Sequence, residues 1–318
     1  MSLARINWRK ALSKFGLLLA LLLLVLALSL LSDRFLRYAN IINVLRQISI
    51  NAIIACGMTV VIIGRGIDLS VGSLLAFCGV LAAGLANIVG WPAPAAMAAA
   101  LAVGVVLGAF NGAIIAYAGI APFIVTLAGL TIFRGMALAY TDGRPISGLP
   151  PAFMQLGASS AWGLPVPIWV MLGFLLLTHI ILAYTALGRA IYAIGGNEEA
   201  ARLSGIPVRR VLVFSYAYAG LAAALAALVL TGRLNSAQPS AGAMFELDAI
   251  AAVVVGGTSL FGGRGGVLGT LIGALIIGVI NNGLNLLNVP SFYQQIVKGA
   301  VILIALLIER LLSSAPRR

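Results

Sequence analysis

Side chains that carry chemistry are scarce in this chain. One histidine, two cysteines and three lysines occur in 318 residues, and only 9% of positions are charged. A soluble domain carries about a quarter charged residues, so an ordinary water-facing surface is excluded. His179 stands alone, which leaves metal chemistry undersupplied and predicts no metal site. Cys56 and Cys78 both lie inside apolar runs and cannot build a disulfide framework or a four-ligand site. No Gly-x4-Gly-Lys-Ser/Thr loop occurs, and none of Lys10, Lys14 and Lys298 sits in a phosphate loop. The chain is therefore expected to bind no ATP and no cofactor of its own. Ser-His-Asp triads and paired carboxylates are also missing; Glu198 and Glu199 adjoin, but neighbours diverge on a helix. An enzyme, including one acting on lipid, would need a constellation that is not there.

What the chain has is apolar surface. Hydrophobic residues make up 62%, and the mean hydropathy is +1.11. Lipid must be the solvent for much of the exterior. The net charge of +12 would suggest nucleic acid in a soluble protein. Here the basic residues sit in short stretches between apolar runs without interleaved aromatics, so membrane topology and anionic headgroups explain them and nucleic acid is not expected. The run Phe15 to Leu31 follows Arg5, Arg9, Lys10 and Lys14 but shows no small-x-small cleavage pattern, and reads as an uncleaved first crossing. Further runs at 47–64, 69–89, 93–118, 122–140, 167–185, 210–231, 245–258, 266–288 and 293–310 predict an all-α polytopic membrane protein of about ten crossings. The 245–258 run is short for a crossing and is expected to be broken or sunk in protein. The whole of 1–318 reads as one transmembrane domain.

With both termini cytoplasmic, the outer segments hold only Arg34, Arg37, Arg46, Arg144 and Arg233, and the inner ones, including 1–14, 186–209 and 311–318, hold the other basic residues outside the runs. That is a positive-inside bias. Arg34, Arg37 and Arg46 run against it and are expected along an external interfacial helix. Gly104-x3-Gly108-x3-Gly112 and Gly265-x3-Gly269-x3-Gly273 are small-residue ridges suited to packing within the chain. They fall in the fourth and ninth runs, while Gly66-Ile-Asp68-Leu and Glu246-Leu-Asp248-Ala open the third and eighth. An offset of five crossings would make the repeat inverted. Arg134, His179 and Lys298 are candidate intramembrane charges. Asp68 and Asp248 read as helix N-terminal residues rather than members of a proton relay. Asn281, Asn282, Asn285, Gln294 and Gln295 could wet a low-affinity path, though for most of them interhelical hydrogen bonding is the preferred role.

The longest inner loop runs from Thr185 to Arg210. Gly195-Gly196-Asn197 opens it, Asn197 suits an N-cap, and Glu198 and Glu199 fall in the favoured first turn of one short helix. Ala200, Ala201, Leu203 and Ile206 give it a small apolar face beside Arg202, fit to dock in a groove of another protein or to rest on the membrane. Glu199-Ala200-Ala201-x3-Gly205 resembles the docking loop of ABC importer permeases. Gly66 to Ser73, Gly195 to Ile206, Ser236 to Gly242, Glu246 to Ser259 and Asn281 to Leu287 are similar to signatures of the monosaccharide branch, the ribose type above all. Permeases for xylose, galactose-type sugars and autoinducer-2 share these motifs.

The resemblance implies a permease that pairs with a second copy. It also implies two ATP-hydrolysing subunits that hold ATP-Mg in the cytoplasm, and a periplasmic protein that delivers the sugar, in a bacterial inner membrane. It places ATPase coupling at Gly196, Asn197, Glu198, Glu199, Ala200, Ala201, Arg202 and Gly205. Candidate pathway or gate residues are Asp68, Ser70, Glu246, Asp248, Asn281, Asn282 and Asn285. The alternative, an ion-coupled carrier of a small polar solute, would need an acidic relay deep in the bundle, and none is visible.

Overall fold

The computed structural model describes residues 8–313. Residues 1–7 and 314–318, which belong to the expected N-terminal segment and tail, lie outside the described residues. Thirteen helices follow one another among the described residues: α1 (Trp8–Leu31), α2 (Tyr38–Ile63), α3 (Val71–Asn87), α4 (Ala93–Ala113, prolonged by a π-helical turn, Ile114–Ala118), α5 (Pro122–Thr141), α6 (Pro151–Gly157), α7 (Val166–Tyr184), α8 (Ala186–Gly196), α9 (Glu198–Leu203), α10 (Val208–Leu234), α11 (Phe245–Val255), α12 (Val267–Leu286) and α13 (Ser291–Ser313). Each apolar run of the sequence is one of these helices. Breaks fall where the backbone turns left-handed, at Arg65 (φ 67°), Gly119 (φ 69°) and Asn235 (φ 49°).

Six of these helices are long and apolar enough to cross a bilayer: α2, α4 with its π turn, α5, α7, α10 and α12. The molecule is an all-α polytopic membrane protein. Burial grades the bundle, since 89% of the apolar window of α2 is buried and only 28% of that of α5. α2 and α10 form the centre; α5 keeps Ile124, Leu127 and Ile132 exposed, as a lipid- or partner-facing helix would. α11 has 11 residues, so it rises about 16 Å, half of a hydrocarbon core. The expected short eighth run is thus a half-helix.

The glycine ridges work within the chain. Gly104 and Gly108 of α4 face Gly220 of α10 so closely that a methyl group on any of them would strike the opposing backbone. Gly269 and Gly273 of α12 meet the backbone of Gly256 and Ala252 in the same way. The helix pairs also repeat. α4 packs on α10 and α12 on α2; α3 on α10 and α11 on α2; α3 on α5 and α11 on α13; α3 on α4 and α11 on α12. Each second pair is the first with every helix exchanged for the one five apolar runs away, forward or back.

Connections gather at two ends of the bundle. At one end Gly263 N–H donates to Ile63 O at 2.9 Å, and Tyr192 O–H to Gly265 O at 2.9 Å. At the other, β1 (Ile146–Ser147) pairs antiparallel with β4 (Ser236–Ala237), and Asn87 Nδ2 donates to Ser147 O and Gly148 O. Two short strands after α6, β2 (Ser160–Ala161) and β3 (Leu164–Pro165), close a hairpin there.

Two expectations need correction. No separate interfacial helix carries Arg34, Arg37 and Arg46: α2 begins at Tyr38 rather than 47, with Arg46 inside it and Arg37 as its N-cap. The polar opening of α2 is helical because its side chains find tertiary partners. Asn40 pairs with Asn282, Asn43 accepts from Arg233 at 2.8 Å, and Arg46 reaches Ala158 O at 3.4 Å. The segment from Thr185 to Arg210 also holds two helices ahead of α10, not one. Thr185 caps α8 by accepting from Gly188 N–H at 3.1 Å, with Ile191 and Ile194 buried. Gly195 and Gly196 end that helix rather than open a loop.

Candidate functional site

α9 stands at the end of the bundle where Ile63 meets Gly263. Asn197 Oδ1 accepts from Ala200 N–H at 3.0 Å, the expected N-cap. Arg202 lies 3.0 Å from Glu198 and 3.8 Å from Glu199, all exposed. Such pairs contribute about 0.3–0.5 kcal/mol and mainly set side-chain direction. Ala201 is buried against the bundle, whereas Leu203 is 81% exposed. The expected apolar face is therefore divided: Ala201 and Ile206 seat the helix, while Ala200 and Leu203 point outward. Gly205 takes φ 80° with open space around it and ends the helix in the left-handed turn glycine favours. Gly196 is likewise exposed.

Beside α9 an open cavity of about 1020 Å³ enters the bundle. Its walls are the turn after α2 (Gly64 to Gly66), the segment Ile115 to Pro122, Glu198 and Arg202 of α9, and the start of α10, and Tyr216 forms part of the lining. Behind Gly66 lies a buried polar cluster. Asp68 Oδ1 accepts from Ser70 N–H at 2.8 Å and Ser70 Oγ at 2.6 Å. Asn111 Nδ2 donates to Ser70 Oγ at 3.1 Å, and Ser73 Oγ to Ser70 O at 2.9 Å. Asp68 thus ties the start of α3, as a residue before a helix should. Among the described residues, its Oδ2 and the Tyr216 hydroxyl are both buried without a hydrogen-bond partner.

A second charged group surrounds α11. Asp248 lies 2.9 Å from Lys298 Nζ of α13, and the two side chains are 5% and 19% exposed. Buried Asn281 of α12 borders the same carboxylate. Glu246, half-buried in the first turn of α11, comes against Gly72 of α3. Arg134 of α5, whose charge acts on Glu246, donates to Pro239 O at 2.6 Å and Ala241 O at 2.7 Å. It pins the segment that leads into the half-helix.

The remaining candidates lie toward the other end of α12. Asn282 and Asn40 exchange two amide hydrogen bonds of 2.9 and 3.1 Å. Asn285 is exposed and accepts from Gln294 at 2.9 Å. The seven candidate pathway residues therefore form three groups: Asp68 with Ser70; Glu246, Asp248 and Asn281; and Asn282 and Asn285. None of the seven lines the open cavity beside α9. Sequence reasoning passed over Asn111 and Tyr216, which sit in apolar runs. It noted Lys298 and Asp248 without pairing them, although a lysine inside a membrane bundle generally pairs with an acid.

Residues 40–306 match the family model described as "Branched-chain amino acid transport system / permease component". The chain is 52% identical to the "Ribose import permease protein RbsC" of Bacillus subtilis (strain 168), over 96% of this chain and 95% of that protein. It is 50% identical to the protein of the same name from Escherichia coli (strain K12), over 92% of each. It is 40% identical to the "Xylose transport system permease protein XylH" of Escherichia coli (strain K12), over 85% of this chain and 84% of that one. No solved structure matches. A match over most of the chain, on a bundle of apolar helices with paired glycine ridges, makes this protein a member of that family of transport-system permease components.

Proposed function

We propose that this chain is the permease subunit of an ATP-binding-cassette importer that carries ribose across a bacterial inner membrane. The observation that carries the reading is near full-length identity of 50–52% to ribose import permeases of several bacteria, against 40% to a xylose permease. In this reading α9 is the coupling helix. Glu198, Glu199, Ala200 and Leu203 face a separate ATPase that holds ATP-Mg, and Asn197, Arg202 and Gly205 fix the shape presented. A periplasmic protein delivers the sugar, and a second copy of the chain completes the pathway. The chain itself supplies no ATPase site.

Ten crossings with both termini in the cytoplasm fit the two sets of connections, and an inverted repeat fits the mirrored helix pairs. The end that carries α9 is then cytoplasmic, and the open cavity is the inner vestibule of an alternating-access path. Asp68 with Ser70 guards the top of that vestibule. Glu246, Asp248 and Asn281 hold the half-helix that would move as the path switches. Asn282 and Asn285 lie near the outer end.

The test is sugar-stimulated ATP hydrolysis in proteoliposomes holding this chain, its ATPase and its binding protein. Stimulation by ribose, and not by xylose or galactose, is expected. Stimulation by xylose alone would correct the substrate. Uptake that follows an ion gradient without the ATPase would overturn the reading.

A further inference from the structure

The inner cavity has a chemistry that a neutral sugar does not need. Arg65, Arg209 and Arg210 line it, and among the described residues none of the three has an ion pair or a hydrogen-bonded side-chain partner. Arg202 lines the same space and already has Glu198 and Glu199 as partners. Two long helices also begin there. α5 starts at Pro122 and α10 at Val208, and neither preceding residue, Ala121 or Pro207, caps its helix with a side chain. The first-turn N–H groups of Phe123 and Arg209, which find no backbone acceptor among the described residues, and the positive ends of two helix dipoles add to the guanidinium charge. Arg209 is held with its guanidinium carbon 5.4 Å from the centre of the Tyr117 ring, which fixes its direction without neutralising it. The positive-inside bias places arginines on inner loops. It does not bring three unpaired ones and two helix N-termini around one cavity.

We infer that the vestibule is an anion site that takes a phosphoryl group, seated on Arg65, Arg209 and Arg210 and the first turns of α5 and α10. Guanidinium forks match phosphate oxygens in pairs, and helix N-termini supply further donors. The group can belong to a small cytoplasmic phosphate ester or to a lipid headgroup reaching in from the inner leaflet. Either occupant narrows the route by which a sugar would leave. An anion that drew Arg202 away from Glu198 would also loosen the set of α9. The inference rests on the proposed function for the name of the vestibule, but the binding itself does not require transport.

The test uses the full chain in nanodiscs of phosphatidylcholine alone, titrated calorimetrically with inorganic phosphate, ribose 5-phosphate and ribose. Saturable binding of both phosphates and none of ribose is expected. The double variant Arg65→Gln/Arg209→Gln should weaken phosphate binding at least tenfold. Arg65→Lys/Arg209→Lys, which keeps charge and loses the fork, should fall between, and it stands in should the first variant fail to fold. Discs containing phosphatidylglycerol separate the sources: a headgroup occupant suppresses phosphate binding there and co-purifies with the native chain but not with the glutamine variant, whereas a soluble ester still binds. Absence of saturable phosphate binding in phosphatidylcholine discs, or binding indifferent to these substitutions, would overturn the inference. Failure of ribose to stimulate ATP hydrolysis would leave this binding result untouched, so the two readings fail separately.

Discussion

The pairing of Asp248 with Lys298 makes a demanding prediction. Both charges are largely withdrawn from solvent, 2.9 Å apart, and join α11 to α13. Removing one partner strands the other, which costs about 3–5 kcal/mol for a buried pair. The two single variants should differ. Lys298→Met leaves a carboxylate that is 5% exposed, whereas Asp248→Asn leaves an ammonium that is 19% exposed on a stem able to reach toward water. Lys298→Met should therefore be the more damaging. Replacing both should recover most of the loss, because a buried pair exchanged for neutral residues of similar size is often near neutral. The assay is a double-mutant cycle on reversible unfolding of the chain in mixed micelles, read by circular dichroism. A coupling of about 2 kcal/mol or more between the positions is expected, within the range for residues in contact. Additive losses would refute the view that the pair, rather than each side chain's separate packing, holds α11 against α13.

Three further outcomes follow from the same geometry. Asn40→Ala should destabilise the bundle by about 1 kcal/mol in the same assay, since interhelical hydrogen bonds in membranes average ~0.6 kcal/mol each and Asn282 loses two. Gly108→Leu should abolish the monodisperse peak in size exclusion by forcing α4 off α10, while Gly135→Ala, where a methyl group meets open space, should leave it unchanged. Glu199→Lys should reduce co-purification of the ATPase while membrane insertion stays normal, because Glu199 is exposed on α9 and bears on nothing in the bundle; unchanged co-purification would remove it from the docking surface.

Hydropathy made the bundle legible because lipid imposes one simple demand on every outward side chain. All ten apolar runs are helices, down to the shortness of α11. The same measure misplaced the start of α2, where Asn40, Asn43 and Arg46 look like loop residues until Asn282, Arg233 and Ala158 supply their partners. It also hid α8, whose glycines suggest a loop but allow the helix to press on the backbone of Ile63 and Leu182. The N-cap of α9 could be read directly, because Asn197 and Ala200 are three residues apart and a cap is a local matter. The cavity beside α9 could not. Arg65 is separated from Arg209 by more than a hundred positions, and only the folding of α2 against α10 brings them to one cavity. Local signals thus mark the elements and the cap of α9, whereas the charged sites depend on contacts between the two halves of the chain. Those contacts follow the glycine ridges, so a side chain added at Gly104 or Gly220 should disturb sites that hold no glycine at all.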